Sequence, residues 1–328
     1  MKKGKILVTG GAGFIGSALI WELNQRGFDN ILVADFLEED DKYQNLVPLR
    51  FDDYMEADEL INTIDEHTIL LNDIKTVFHL GACSSTTEKD GRYLTQNNYE
   101  FSKHLAHWAL SHGMRFVYAS TAATYGDGSQ GMNDEGDIQP LRPLNMYGYS
   151  KQLFDLHAQK RGFLDKVAGI KYFNVFGPNE YHKEDMRSLV HKAYKQIEET
   201  GQVKLFKSHN PDYADGEQKR DFLYIKDAIN MTLHLADTKT ANGLFNVGSG
   251  EANTWNTLVG GIFKALGKPT NIEYIDMPES LRDKYQYYTC ADIAKIRSTG
   301  YDIPMTPLED AVKEYVQDYI APNKHLGS

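Results

Sequence analysis

Along the first half of the chain, short and nearly unbroken apolar runs alternate with stretches of helical spacing. Residues 5–9 (KILVT) form the first run, of the kind that is buried on both faces of a parallel sheet. Leu19, Ile20 and Leu23 then fall on one face of a helix over residues 17–25, which Gly27 ends. Residues 31–35 (ILVAD) read as a second strand and residues 47–53 (VPLRFDD) as a third, strand-like segment. Residues 75–82 (KTVFHLGA), 115–120 (RFVYAS) and 166–174 (KVAGIKYFN) continue the series. Strands that alternate with helices predict an α/β fold built on a doubly wound parallel sheet.

The first strand runs straight into Gly10-Gly11-Ala12-Gly13-Phe14-Ile15-Gly16. Glycines here let the chain turn sharply and let a pyrophosphate approach the amide N–H groups of a helix N-terminus. The second strand ends at Asp35-Phe36, where a carboxylate accepts from ribose hydroxyls. Strand, glycine turn, helix, strand and acid together make a Rossmann-type unit that binds a dinucleotide. Asp35 favours NAD, whereas Lys42 offers a charge to the extra phosphate of NADP, opposed by Glu38, Glu39, Asp40 and Asp41. The acidic run reads as a solvated loop, and the choice of dinucleotide stays open. Asp53, at the end of the third segment, either meets the adenine or lies on a surface turn. Leu80-Gly81-Ala82 ends a strand in small residues that let the backbone pass close to a cofactor, and Cys83-Ser84 opens a polar loop beside it. Cys83 reads as a small filler. Asn97, on the helix that follows, is either a solvent-facing amide or a contact to that loop.

Tyr147 and Lys151 stand four residues apart, so a helix places them on one face. A free tyrosine titrates near pH ~10, and a nearby ammonium is expected to lower that value and make the phenol a base toward an alcohol. Thr121, at the end of the 115–120 strand, points a hydroxyl toward the ligand crevice or simply caps the strand end.

The sequence holds 328 residues, 41% hydrophobic and 25% charged, enough for a large core and a second lobe. A net charge of -11 argues against non-specific nucleic-acid binding. A local cluster of Lys and Arg still suits an anionic small molecule. Two cysteines, Cys83 and Cys290, predict no disulfide framework and fit a reducing cytoplasm. The opening Met1 to Lys5 leads into a strand rather than a signal peptide, and no apolar run approaches the ~20 residues of a membrane span. No metal site is expected.

As a set, Thr9-Gly10-x-x-Gly13-x-x-Gly16, Thr121 and Tyr147-x-x-x-Lys151 resemble the extended short-chain dehydrogenase/reductase superfamily of nucleotide-sugar epimerases and dehydratases. The segments Arg220 to Asp227 and Phe245 to Gly248 add to this resemblance. Gly81 to Glu88, Asn97-Asn98-Tyr99, Tyr118 to Gly126, Tyr172 to Pro178, His182-Lys183 and Arg282-x-x-Tyr285-Gln286 resemble one family within it, the ADP-heptose 6-epimerases of lipopolysaccharide core synthesis. The resemblance spans essentially the whole chain. It implies a dinucleotide domain over residues 1–173 plus 220–248, and a substrate lobe over 174–219 plus 249–328. It also implies one tightly bound NADP or NAD per subunit, a nucleotide-sugar substrate and a homo-oligomer.

Residue by residue, the resemblance implies Tyr147, Lys151 and Thr121 beside the nicotinamide, with Lys183 a second acid/base on the other side of the sugar. Without the resemblance, Lys183 reads as a surface charge. Asn174, Val175 and Asp185 match substrate-contacting positions, and Phe206, Ser208 and Arg220 match contacts around the ADP. Tyr285 matches a tyrosine at the sugar or diphosphate. Arg220 suits phosphate oxygens, or else pairs with Asp221. The chain departs from the family with Thr121 for a serine, Asp185 for a serine, Leu80 for an acid and Ala57 for a lysine. UDP-hexose 4-epimerisation and dTDP-hexose dehydration are the alternatives in the superfamily, but no Asp-Glu pair of the dehydratase type follows Ser120-Thr121. A scaffold or redox sensor that lost its chemistry would not need Tyr147, Lys151 and Thr121 together.

Overall fold

The computed structural model describes residues 4–37, 39–66, 71–282 and 285–328, with Ser280 by its backbone alone. Met1-Lys2-Lys3 and Glu38 of the acidic run lie outside the described residues. The strands are β1 (Lys5–Thr9), β2 (Ile31–Asp35), β3 (Asp53–Glu56), β4 (Ile74–His79), β5 (Arg115–Thr121), β6 (Ala168–Tyr172), β7 (Asn174–Phe176), β8 (Val203–Phe206), β9 (Lys219–Tyr224), β10 (Gly243–Val247), β11 (Ala252–Thr254) and β12 (Ile272–Ile275). The helices are α1 (Phe14–Gln25), α2 (Ala57–Asp65), α3 (Gly91–Leu94), α4 (Phe101–Ser111), α5 (Met146–Lys160), α6 (Leu189–Thr200), α7 (Ile225–Asp237), α8 (Trp255–Ala265), α9 (Glu279–Arg282), α10 (Ala294–Ser298) and α11 (Leu308–Glu314).

Seven strands form one sheet in the order β10-β6-β5-β4-β1-β2-β3, and every pairing in it is parallel. The alternation of the strands explains the two helical layers. Ile6, Val8, Ile31, Val33 and Phe78 join one core with α1 and α7, while Leu7, Leu32, Val77 and Phe116 join a second core with α2, α4 and α5. Successive side chains of a strand point to opposite faces, so a run that is apolar throughout needs helices on both. The order reverses between β1 and β4, which opens a crevice beyond their carboxyl ends. Gly10 and Gly81 face each other there, and a Cβ on Gly10 would stand 2.5 Å from Gly81 N.

A three-stranded sheet, β11-β9-β7, and the parallel pair β8–β12 build the smaller lobe. Within the 220–248 return, β9 pairs with β7 and β11, whereas α7 and β10 complete the seven-stranded layer. The first core continues into this lobe through Val190, Val203, Leu205 and Leu258.

Residues 47–52 are not a strand. Leu49 N donates to Leu46 O at 2.9 Å across a turn that contains Pro48, and the edge strand begins only at Asp53. Proline has no N–H for a ladder, and Leu46 and Leu49 are buried as anchors of the turn rather than as alternate strand positions.

Candidate functional site

The glycine turn fits a dinucleotide. Gly10 has φ +69, and a Cβ on Gly16 would stand 2.0 Å from Gly10 O. No side chain caps the N-terminus of α1, and a pyrophosphate placed there would satisfy its first N–H groups. Asp35 is buried at the end of β2 and does more than wait for a ribose. Its carboxylate accepts from Ala12 N and Phe36 N, both at 2.8 Å, and Lys42 Nζ stands 3.5 Å from it. The acid therefore ties the glycine turn to β2, and Lys42 partly neutralises it. Phe14 and Ile15, in the first turn of α1, pack into the adjoining core.

Asp53 is not at this site. It is exposed at the amino end of β3, level with Leu32, while Glu56 is level with Asp35. That places it about 10 Å from the crevice, because parallel strands present only their carboxyl ends to the ligand. Asn97 is half-buried in a π-helical turn, Thr95–Glu100, and lines a groove with Phe36 and Ala57. Its neighbour Asn98 carries the structural role that the sequence reading did not assign. Fully buried, Asn98 accepts from Cys83 N and donates to Cys83 O, both at 2.9 Å, and donates to Ser150 Oγ at 3.0 Å. This clamps the loop after β4 to α5. Leu80, Gly81 and Ala82 lie half-buried on that loop and Ser84 is exposed.

Asn145 caps α5 by accepting from Gly148 N at 2.8 Å, which starts the helix one residue before Tyr147. The Tyr147 side chain hydrogen-bonds that of Thr121. Thr121 also accepts from Ala123 N at 3.1 Å, so it both caps its strand end and meets the phenol. Burial pushes the Tyr147 phenol up from its ordinary value, and the Thr121 hydrogen bond acts the other way. The expected lowering by Lys151 is absent among the groups that act on the phenol. The Lys151 ammonium is instead felt by His79, and its own charge partners are Asp155 and Cys83. Burial brings Lys151 down to about 8 against the opposing pull of those two groups. Cys83 thus lies near enough for its charge state to bear on both Tyr147 and Lys151.

Behind the pair lies a buried polar network that sequence patterning hid inside α5 and β6. Asp155, one turn beyond Lys151, accepts from Tyr118 OH at 2.8 Å, Ser120 Oγ at 2.7 Å and Lys171 Nζ at 3.1 Å. Both charged groups are within 1% of complete burial. A Lys in a strand and an Asp in a helix read as solvent-facing unless the pairing across the sheet is known.

Lys183 is not a surface charge. It sits in the 3-10 turn Tyr181–Met186, and its Nζ lies 5.3 Å from the centre of the Phe14 ring, at the start of α1. Burial lowers its pKa, and the buried Glu180 acts to raise it. Asp185, in the same turn, is exposed and does not line the adjoining cavity; its carbonyl accepts from Lys192 Nζ at 2.5 Å.

That cavity, of about 670 Å³, brings together Asn174, Val175, Phe206 and Tyr285 of the expected substrate residues. Arg220 stands behind it with its guanidinium 5.6 Å from the Trp255 ring centre and 5.1 Å from that of Tyr285. Among the described residues no carboxylate pairs with Arg220. Asp221 turns instead to Ser249 N at 2.7 Å, Gly250 N at 3.0 Å and Ala291 N at 2.9 Å. A buried guanidinium between aromatic faces, with one hydrogen bond to Lys219 O at 2.9 Å among the described residues, suits a diphosphate. Ser208 does not line the cavity. Its hydroxyl donates to Asn210 O at 2.9 Å and its N–H to Asp215 at 2.7 Å, which closes the loop on itself.

Among the described residues no group of three or more His, Cys, Asp and Glu is placed to hold a metal ion, and no helix is long and apolar enough to cross a membrane. The profile of the NAD dependent epimerase/dehydratase family matches residues 6–248. The ADP-L-glycero-D-manno-heptose-6-epimerase of Nitratidesulfovibrio vulgaris (strain DP4) is 51% identical over 316 residues, 96% of this chain and 98% of that one. The protein of the same name from Fusobacterium nucleatum subsp. nucleatum is 42% identical over 328 residues, covering 96% and 98%. The crystal structure of the Helicobacter pylori ADP-L-glycero-D-manno-heptose-6-epimerase superposes with a TM-score of 0.80 at 29% identity, over 96% of each chain. With the family profile over residues 6–248 and relatives that match over 96% of the chain, this chain belongs to the NAD dependent epimerase/dehydratase family, and within it to the family of ADP-L-glycero-D-manno-heptose-6-epimerases.

Proposed function

We propose that the protein inverts C6 of ADP-D-glycero-β-D-manno-heptose to give the L-glycero epimer, by oxidation to a 6-keto sugar and re-reduction. The observation that carries this reading is a second amine beside the glycine turn: Lys183 Nζ lies 5.3 Å from the ring centre of Phe14, at the start of α1, in a chain that also buries Tyr147 with Thr121 at the end of β5. Inversion with a single hydride donor requires the keto sugar to present its opposite face, so its oxygen ends on the other side of the site. One acid/base for each orientation is the simple solution.

Gly10, Gly13, Gly16, Asp35, Lys42 and the 80–83 loop would hold a nicotinamide dinucleotide, which would supply hydride acceptance and return. Tyr147 takes the proton from O6 in the first half. Because burial holds the phenolic proton, this deprotonation is the demanding part, and the Thr121 hydroxyl donating to the phenolic oxygen eases it. The Lys151 ammonium, one turn along α5, keeps its positive charge toward Asp155 and Cys83. After rotation about C5–C6, Lys183 gives a proton to the oxygen on its side, and proton exchange with solvent then returns Tyr147 to the phenolate and Lys183 to the ammonium. Lys183 suits this role because burial makes its ammonium a better acid than a solvated lysine.

The ADP occupies the cavity lined by Phe206 and Tyr285, with Arg220 toward the diphosphate. Lys42 next to Asp35 offsets the carboxylate that would repel a 2′-phosphate, so NADP is the proposed dinucleotide. Subunits assemble as a homo-oligomer in the cytoplasm. Incubation of the purified protein with each ADP-heptose epimer and cofactor is the test. Interconversion is the expected result, and Tyr147→Phe should lower kcat by about 10²–10⁴-fold. No interconversion, or turnover of UDP-hexoses instead, would overturn the reading.

A further inference from the structure

Lys183 is delivered by a turn that would be free to drift if only its own sequence held it. Glu184 has φ +46 and Asn179 has φ +78, so the segment contains two left-handed non-glycine residues. What holds it is a knot of polar groups drawn from four distant parts of the chain. Asn45 is 1% exposed. Its Nδ2 donates to Ala12 O of the glycine turn at 2.9 Å and to Asn179 O at 3.1 Å. Its Oδ1 accepts from His325 Nδ1 at 2.8 Å, which fixes that ring with its proton on Nδ1.

Asn179 is fully buried. Its Nδ2 donates to Ser17 Oγ of α1 at 3.0 Å, and its Oδ1 accepts from Leu326 N at 2.9 Å. Tyr181 donates to Lys324 O at 2.7 Å and meets the His325 ring edge-on at 5.0 Å. The buried Leu326 plugs the C-terminal residues into the same place.

We infer that Asn45, Asn179 and His325 are positioning residues for the reaction, a knot that fixes the Lys183 turn against the glycine turn. The knot spans both halves of the chemistry. Ala12, held by Asn45 on one side, is held by Asp35 on the other. Ser17 lies one turn beyond Phe14, whose ring underlies the Lys183 ammonium. Asn45 closes the same 3-10 turn, Asp41–Asn45, that carries Lys42. The distance between the dinucleotide and the second proton-transfer group is thereby set by the last residues of the chain. Burial lowers both nearby imidazoles, His325 within the knot and His182 beside it to about 4.

This inference rests on the reading of Lys183 as the second acid/base, and its test separates the two. The variants are His325→Ala, His325→Asn and Asn179→Gly, each made alone and together with Lys183→Met. Glycine accepts the left-handed backbone at position 179, so only the side-chain bonds are lost. Asparagine at position 325 keeps an N–H where the imidazole Nδ1 stood. Kinetics are measured with the two ADP-heptose epimers, alongside dinucleotide affinity and melting temperature.

His325→Ala and Asn179→Gly should each lower kcat by roughly 10–100-fold while KM for the nucleotide sugar stays within about threefold, as expected for a misplacement of about 1 Å. His325→Asn should recover most of the loss. In the Lys183→Met background the same substitutions should cost no more than about twofold, because the group they position is gone. A full, additive loss in that background overturns the inference, as does an unchanged kcat in the single variants. Wild-type kcat in Lys183→Met alone removes the reading of Lys183 and the inference with it.

Discussion

The proposed chemistry depends on where two lysines and a tyrosine keep their protons. Burial raises the Tyr147 phenol and brings the Lys151 amine down to about 8. The sign follows directly. Below about pH 8 Lys151 carries its charge, and as the pH rises through that value the charge felt by Asp155, Cys83 and His79 is lost. The pH profile of kcat/KM should therefore show a basic limb near pH 8. Lys151→Arg, whose guanidinium stays charged, should remove that limb even where it lowers the rate. A limb that stays near pH 8 in the arginine variant would assign it to another group. The residues themselves were legible in the sequence as a spacing of four. Their protonation was not, because it is set by burial and by Asp155 and Cys83, which reach Lys151 only after α5 has packed against the sheet.

At the scale of elements, the strand–glycine–helix–strand unit was readable because each part has its own local signal. β1, β2 and α5 emerge where apolar runs, caps and glycines predict them. Gly16 shows why the pattern is strict, since a Cβ there would stand 2.0 Å from Gly10 O. Gly16→Ala should abolish dinucleotide binding, measured by calorimetry, while a folded core remains by circular dichroism. Tight binding in that variant would mean that the turn relaxes freely. β3 was misread because Val47, Leu49 and Phe51 alternate like a strand while Pro48 and the turn around it forbid a ladder. The error carried Asp53 into the site. Its own element then placed it at the wrong end of the strand. Asn98 was passed over for Asn97 because two adjacent amides look alike until a π-helical turn decides which one faces inward.

For the whole molecule, long-range pairing does what no local pattern announces. Lys171 and Asp155 are fully buried against each other, with Thr124 accepting from Lys171 at 2.6 Å. Removing one partner strands the other charge in a dry place. Lys171→Met should destabilise the protein by about 3–5 kcal/mol, read from chemical denaturation, and a change below about 1 kcal/mol would show that the pair is dispensable. The smaller lobe shares the first core, so the Lys183 turn, the cavity at Phe206 and Tyr285, and the glycine turn form one packed body. Sequence alone placed these parts in two domains but gave no view of the C-terminal residues folding back to Asn45 and Asn179, whose contacts span most of the chain's length.

The central claim is that the hydrogen on C6 leaves and returns as hydride within one site. ADP-heptose carrying deuterium at C6, converted by the enzyme in ordinary water and followed by mass spectrometry, tests this most directly. The account predicts that the epimerised product keeps its deuterium. Loss of the label to water during epimerisation would mean that the hydrogen departs as a proton, and would contradict it.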